Sequence, residues 1–207
     1  MFSQFVPKRR NVTTVGIVIL LALLLAGSAA IAQDDDTESL ATEANTPPRF
    51  LEITESQPQC GEAVVGDLAP WLAGWTLDEE EFNIRKPFED PKVQRLALVF
   101  FAEWCIQCRV GISQLAAEAG RIDSNGVYVA LVDVRDAPKR ARRFLRGLQI
   151  PFPVVLDRTG TSEKAYLGEK NGKYFLPRTA IISREGHVEA IFGREGDDFV
   201  DRVIAGE

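Results

Sequence analysis

Histidine and methionine each occur once in the 207 residues, and cysteine occurs three times. So small a stock of soft donors argues against a metal centre built from side chains. There is a single Cys-x-x-Cys, whereas a zinc site made of two knuckles needs a second. No internal repeat is present, and residues 64–207 suffice for one ordinary domain but not for two. Acidic side chains outnumber basic ones, 30 to 24. The formal net charge is −6, and because the first 32 residues hold three basic and no acidic side chains, the remainder carries about −9. That acidity argues against a nucleic-acid partner.

What the chain does have is Trp104-Cys105-Ile106-Gln107-Cys108, directly after the apolar run Leu96–Phe101. A buried strand that delivers a cysteine pair to a helix start makes a reactive dithiol. The free amides and the positive dipole end favour a thiolate at Cys105, and Cys108 lies one turn away within disulfide reach. The tryptophan, the preceding strand and the lack of a second pair favour a redox dithiol over a structural disulfide or a metal site.

At the other end of the chain, Lys8-Arg9-Arg10 precede an uncharged, mostly apolar stretch from Val12 to Ala32. Basic residues followed by an apolar run are the order of a secretory signal, and Ala30-Ile31-Ala32 fits a small-x-small cleavage site. About 20 apolar residues also suffice to span a bilayer, so residues 1–32 read as a signal peptide or a membrane anchor. Either way the remainder is expected outside the cytoplasm, where disulfides persist. Residues 33–63, rich in Asp, Glu, Thr, Ser and Pro, read as an acidic flexible linker, with Phe50, Leu51 and Ile53 able to pack on the head. Residues 64–207 form the globular domain.

Within that domain Leu96–Phe101 and Val127–Val134 read as buried strands. Cys108, Ile112, Leu115 and Ala119 share one helix face, which buries Cys108 and leaves Cys105 at an exposed helix start. Asp123–Gly126 is a turn. Asp136 is placed to cap a helix with Pro138 in its first turn and an inner stripe of Ala141, Phe144, Leu145 and Leu148. Pro153–Asp157 is a short strand, followed by a short helix through Ala165 and Leu167. Arg178–Ser183 and His187–Phe192 flank Arg184-Glu185-Gly186 as a hairpin. A helix through Phe199, Val203 and Ile204 closes the chain. The expected architecture is α/β, a central mixed sheet with helices on both faces.

This order of elements, with Phe-Phe-Ala-Glu-Trp-Cys-x-x-Cys-Arg after the first long strand, resembles the thioredoxin fold. Val65–Pro70, Pro151–Asp157 and Leu176–Ser183 are similar to the TlpA/ResA branch of exported thioredoxin-like proteins. The resemblance covers roughly residues 64–205. It implies that Cys105 attacks, that Cys108 resolves, and that Pro177 is a cis proline facing them. Trp104, Leu176 and Pro177 would then face the substrate, with the Leu176 amide and carbonyl pairing to an extended client segment. It further implies a thiol–disulfide oxidoreductase that needs no cofactor or metal. A membrane thiol would supply electrons, and disulfide- or thiol-containing envelope proteins, apocytochromes among them, would be clients. Ile106-Gln107 matches none of the dipeptides of the best-known reductants or oxidants, so the direction of electron flow stays open.

Departures from that pattern matter. The buried Asp of thioredoxins falls at Val99, and the Glu and Pro common after the second cysteine in the TlpA-like branch fall at Gly111 and Ser113. Both familiar proton acceptors for the buried thiol are therefore missing, and Glu103 reads as a flanking surface carboxylate. Peroxiredoxins need a Pro and a Thr or Ser ahead of their reactive cysteine, and Phe100–Trp104 offers neither, which sets a peroxidase reading aside. A copper or zinc chaperone and a redox-inactive scaffold are the alternative classes. Cys60 makes the cysteine count odd, as an idle thiol, an intermolecular partner or a third exchanger with the dithiol. His187 reads as a solvated strand residue. Lys139, Arg142, Arg143 and Arg146 share a helix face that reads as solvated, with a docking patch for an acidic partner as the alternative.

Overall fold

The computed structural model describes residues 61–168, 174–193 and 196–207. The apolar segment 1–32, nearly all of the linker and Cys60 lie outside the described residues. Seven strands and five helices run in the order β1 (Ala73–Trp75), β2 (Glu81–Asn83), β3 (Arg95–Phe101), α1 (Ile106–Ala117), α2 (Ala119–Ser124), β4 (Val127–Val134), α3 (Pro138–Phe144), β5 (Val154–Asp157), α4 (Thr161–Tyr166), β6 (Arg178–Ser183), β7 (Val188–Phe192) and α5 (Phe199–Ala205).

The main sheet has the order β5-β4-β3-β6-β7. Strands β3, β4 and β5 are parallel, whereas β6 runs antiparallel to β3 and β7 antiparallel to β6. This is the mixed sheet of the thioredoxin fold. Helices cover both faces. Ala97, Val99, Phe101, Val129 and Leu131 pack with α1, α3 and α5, while Leu96, Leu98, Phe100, Ala130 and Val132 pack with α4 and the β1–β2 hairpin. The uninterrupted apolar character of β3 follows from its being buried on both faces at the centre of the sheet. Strand β1 pairs with β2, and an isolated bridge from Thr76 to Val155 lays this hairpin along the β5 edge. The sequence reading assigned no elements between residues 71 and 90. Strands of three residues carry too little periodicity to register as such.

Several local expectations change. The helix after the cysteines does not continue to Ala119 on one face. It ends at Ala117 with Glu118 as its C-cap, and α2 starts anew at a half-buried Ala119. Asp136 does not cap α3, whose N-cap is Ala137 without a side-chain bond; its carboxylate instead accepts the Glu103 N–H at 2.6 Å. The basic face also breaks up, because α3 ends at Phe144 and leaves Arg146 beyond it. Arg142 donates to the Leu77 carbonyl, and Arg109 donates to the carbonyls of Phe144 and Arg146. Carbonyl groups left open at loop and helix ends draw these guanidinium groups inward. Ala63 is buried, and its N–H donates to Ala165 O at 2.7 Å.

Asp157, at the end of β5, serves the start of α4. Its carboxylate accepts the N–H groups of Thr161, Ser162 and Glu163 at 3.0–3.2 Å and the Ser162 hydroxyl. These are the unpaired donors of a helix start, satisfied by one buried anion. Asp157→Ala leaves them without partners, and urea denaturation should show a loss of about 2 kcal/mol with an unchanged slope.

Candidate active site: a dithiol above a buried carboxyl

Strand β3 ends at Phe101, and a tight turn, with Cys105 N–H on Ala102 O at 3.0 Å, places Cys105 as the N-cap of α1. Its extended backbone, φ −90° and ψ 91°, lets Sγ fold back to accept the Cys108 N–H at 3.1 Å. A cysteine here acts as serine or aspartate does at other helix starts, with sulfur in place of oxygen. The same amide and the helix dipole would stabilise a Cys105 thiolate. Cys105 and Cys108 form a disulfide with Cα atoms 5.3 Å apart.

The expected contrast in exposure is corrected. Cys105 is 5% exposed and Cys108 2%, so in the disulfide both sulfurs are shielded. Cap position therefore distinguishes them in this state. Around them the surface is apolar. Trp104, Ile106, Val110 and Phe175 are exposed, and Trp104 meets the Tyr174 ring at 6.3 Å. The Leu176–Pro177 peptide is cis, as the resemblance implies, and Leu176 is half-buried against the clusters on both faces of the sheet. Glu103 is not a free surface carboxylate. It is half-buried and pairs with Arg140 at 2.9 Å. His187 is exposed, with Nδ1 3.0 Å from Gly66 O. Among the described residues no cluster of His, Cys, Asp or Glu could hold a metal ion.

The sequence reading missed Asp133. It lies on β4 in register with Phe101, two residues past Leu131 on the sheet face that α1 covers. Asp133 is fully buried, and among the described residues its carboxyl oxygens make no hydrogen bond of good geometry, the Asp136 side chain and backbone being their near polar neighbours. Burial above all, and then the neighbouring carboxylates Asp136 and Glu103, push its pKa up to about 8. Its strand, Val127–Val134, is so apolar otherwise that Asp133 reads as the polar end of a strand. The only sequence signal was that an acid stood inside a segment expected to be buried. Thr179, in register with Val99, is also buried with an unpartnered hydroxyl.

A Cys-x-x-Cys disulfide at the start of the helix that follows the central strand of a thioredoxin fold defines a thioredoxin-like protein with a redox-capable centre. Residues 65–191 match the model of the AhpC/TSA family, more than half of the chain, and the chain belongs to that family. It is 28% identical over 110 residues to the thiol-disulfide oxidoreductase ResA of Bacillus subtilis, covering 53% of this chain and 59% of that protein. The chain thus spans about three fifths of that relative's length. It is 25% identical over 127 residues to the protein of the same name from Oceanobacillus iheyensis, covering 61% of this chain and 64% of that one. Among solved structures it is similar to a thiol:disulfide interchange protein of the thioredoxin family from Chlorobium tepidum. The TM-score is 0.56 at 21% identity, over 70% of this chain and 97% of that one. The peroxidoxin BcpB of Mycobacterium tuberculosis has a TM-score of 0.58 at 16% identity, over 70% of this chain and 96% of that one, a likeness of fold.

Asp133 should make stability depend on pH. Its pKa is raised in the folded state above the unfolded value. Its contribution is therefore complete below about pH 4 and is lost as pH rises to about 8. Urea unfolding of the oxidised protein should lose up to about 1.4 kcal/mol per pH unit across that window from this group. Asp133→Asn should flatten the profile and be the more stable protein at pH 9. Parallel profiles for the two proteins would contradict a buried, uncharged Asp133.

Proposed function

We propose that this protein is an exported thiol–disulfide oxidoreductase, with a thioredoxin-like head held at or near the outer face of a membrane. The observation that carries the reading is the placement of Cys105. It caps α1 with its sulfur on the Cys108 amide, and Cys108 lies within bonding distance one turn on. In the reducing direction the Cys105 thiolate attacks a client disulfide and forms a mixed disulfide. Cys108 then attacks Cys105 Sγ, frees the reduced client and leaves the Cys105–Cys108 disulfide. The exposed Trp104 and Phe175, with Leu176 and Pro177 beside them, offer an apolar surface for an extended client segment.

The basic and apolar order of residues 8–32 supports export, with the segment serving as a signal peptide or an anchor. The names of the curated relatives support dithiol exchange. We favour reduction of envelope proteins, with electrons from a membrane thiol carrier and cytochrome c maturation as one use. The run Phe100–Trp104 still lacks the Pro and the Thr or Ser that a peroxidatic cysteine needs, so disulfide exchange is preferred to peroxide chemistry.

In the reduced protein, brief alkylation should label Cys105 before Cys108, because the helix start holds its thiolate. Mass mapping that finds Cys108 labelled first would reverse the assigned roles. Cys108→Ser should accumulate client proteins in mixed disulfides on Cys105, whereas Cys105→Ser should accumulate none. Non-reducing gels from cells expressing each variant read this out, and an absence of adducts with Cys108→Ser would sink the mechanism. The reduction potential of the Cys105–Cys108 pair decides the direction. A value below that of thioredoxin, about −270 mV, fits a reductant, and one near that of DsbA, about −120 mV, an oxidant.

A further inference from the structure

A resolving cysteine must lose a proton before it can attack, and the two positions where similar proteins carry an acid are Val99 and Gly111 here. The fold supplies an acid from another strand. Cys108 Sγ is 3.9 Å from the Phe100 carbonyl oxygen, and the next residue, Phe101, lies directly across from Asp133, about 4.8 Å away at normal strand spacing. Phe101, Leu131 and both cysteines belong to one buried cluster on the face where the Asp133 side chain lies. No described residue gives the Asp133 carboxyl a well-formed hydrogen bond, although it is fully buried. Its polar neighbours are the side chain and backbone of Asp136, and a buried carboxyl with so few partners is costly.

We propose that Asp133 is the proton acceptor of the Cys105–Cys108 dithiol, taking the place of the acids missing at Val99 and Gly111. The proposal rests on the oxidoreductase reading. First, the Cys105 thiolate bonds to one client sulfur, and the other client sulfur leaves as a thiolate that takes a proton from solvent. The Asp133 carboxylate next accepts the Cys108 proton. Cys108 sulfur then bonds to Cys105 Sγ as the mixed disulfide breaks, and the second client sulfur leaves as a thiolate. Two electrons pass from the dithiol to the client, and Asp133 keeps the proton in the disulfide product. The disulfide form is the product of this sequence, and in it burial and the nearby carboxylates hold Asp133 protonated at neutral pH. The groups that set this balance are Asp136, on the loop after β4, and Glu103, on the loop after β3. Arg140 of α3 engages Glu103, and Arg135 is turned away to Glu163. The cysteines stand at the start of α1, in the buried cluster that also holds Phe101 and Leu131.

The test uses the full chain with Cys60→Ser, so that the third thiol is silent, mixed in stopped flow with 5,5′-dithiobis(2-nitrobenzoate). The first nitrothiobenzoate is released by attack of Cys105 and the second by resolution through Cys108. Asp133→Asn should slow the second phase by roughly tenfold or more at pH 7 while leaving the first within about twofold. In the parent protein the second phase should rise with pH and level off once Asp133 is ionised, whereas in Asp133→Asn it should keep rising toward the thiol range. Adding Val99→Asp to Asp133→Asn, which sets an acid on the neighbouring strand of the same face, should restore the second phase. An unchanged second phase, or a parallel loss of both phases, overturns the role of Asp133. No first phase in the parent overturns the oxidoreductase reading itself. Oxidised-minus-reduced infrared spectra of the parent need no variant to fold. They should show a protonated-carboxyl band gained on oxidation, and its absence also overturns the proposal.

Discussion

Everything at this site depends on the central position of β3. It is hydrogen-bonded to β4 on one side and β6 on the other, and both of its faces are covered. A strand held on four sides cannot shift register without turning its apolar side chains out of the core. Its end is therefore a fixed point, and the turn that follows delivers Cys105 to the start of α1 with little freedom. The reactive pair inherits that rigidity, as a preorganised site requires.

The surroundings of the dithiol then divide by the direction from which they arrive. From the antiparallel side comes the cis Leu176–Pro177 peptide, just before β6, with Tyr174 and Phe175 adjoining Trp104. From the parallel side comes the acidic group, Asp133 and Asp136 at the end of β4, tied to the cysteine loop through the Glu103 amide and to α3 through Arg140. The first half is apolar and exposed, suited to contact with another chain. The second is polar and partly buried, suited to handling protons. One short loop, Ala102–Trp104, separates them.

Similarity to known proteins covers the fold that carries the cysteine pair. Val99 makes the β3 part of the face that holds the cysteines apolar, at a position where the thioredoxin resemblance implies an acid. The buried Asp133 restores an acid to the same face from one strand away.

The order of strands and helices was legible in the sequence because period-2 and helical patterns, with turn residues between them, are local properties. So was the Cys105–Cys108 pair, since a spacing of three at a helix start brings two side chains to about one turn of 3.6 residues. The thioredoxin-like class followed from motifs in their order along the chain. The short β1–β2 hairpin was not legible, because three-residue strands are stabilised by the edge they pair with and not by their own pattern. Nor was the shielding of Cys105, which depends on neighbours far away in sequence. Asp133 shows the difference most clearly. As a residue in a sequence it is an acid at the end of an apolar strand. Only pairing with β3 sets it opposite Phe101 on the face of α1, and only the packing of that face removes the water that would have kept it ionised.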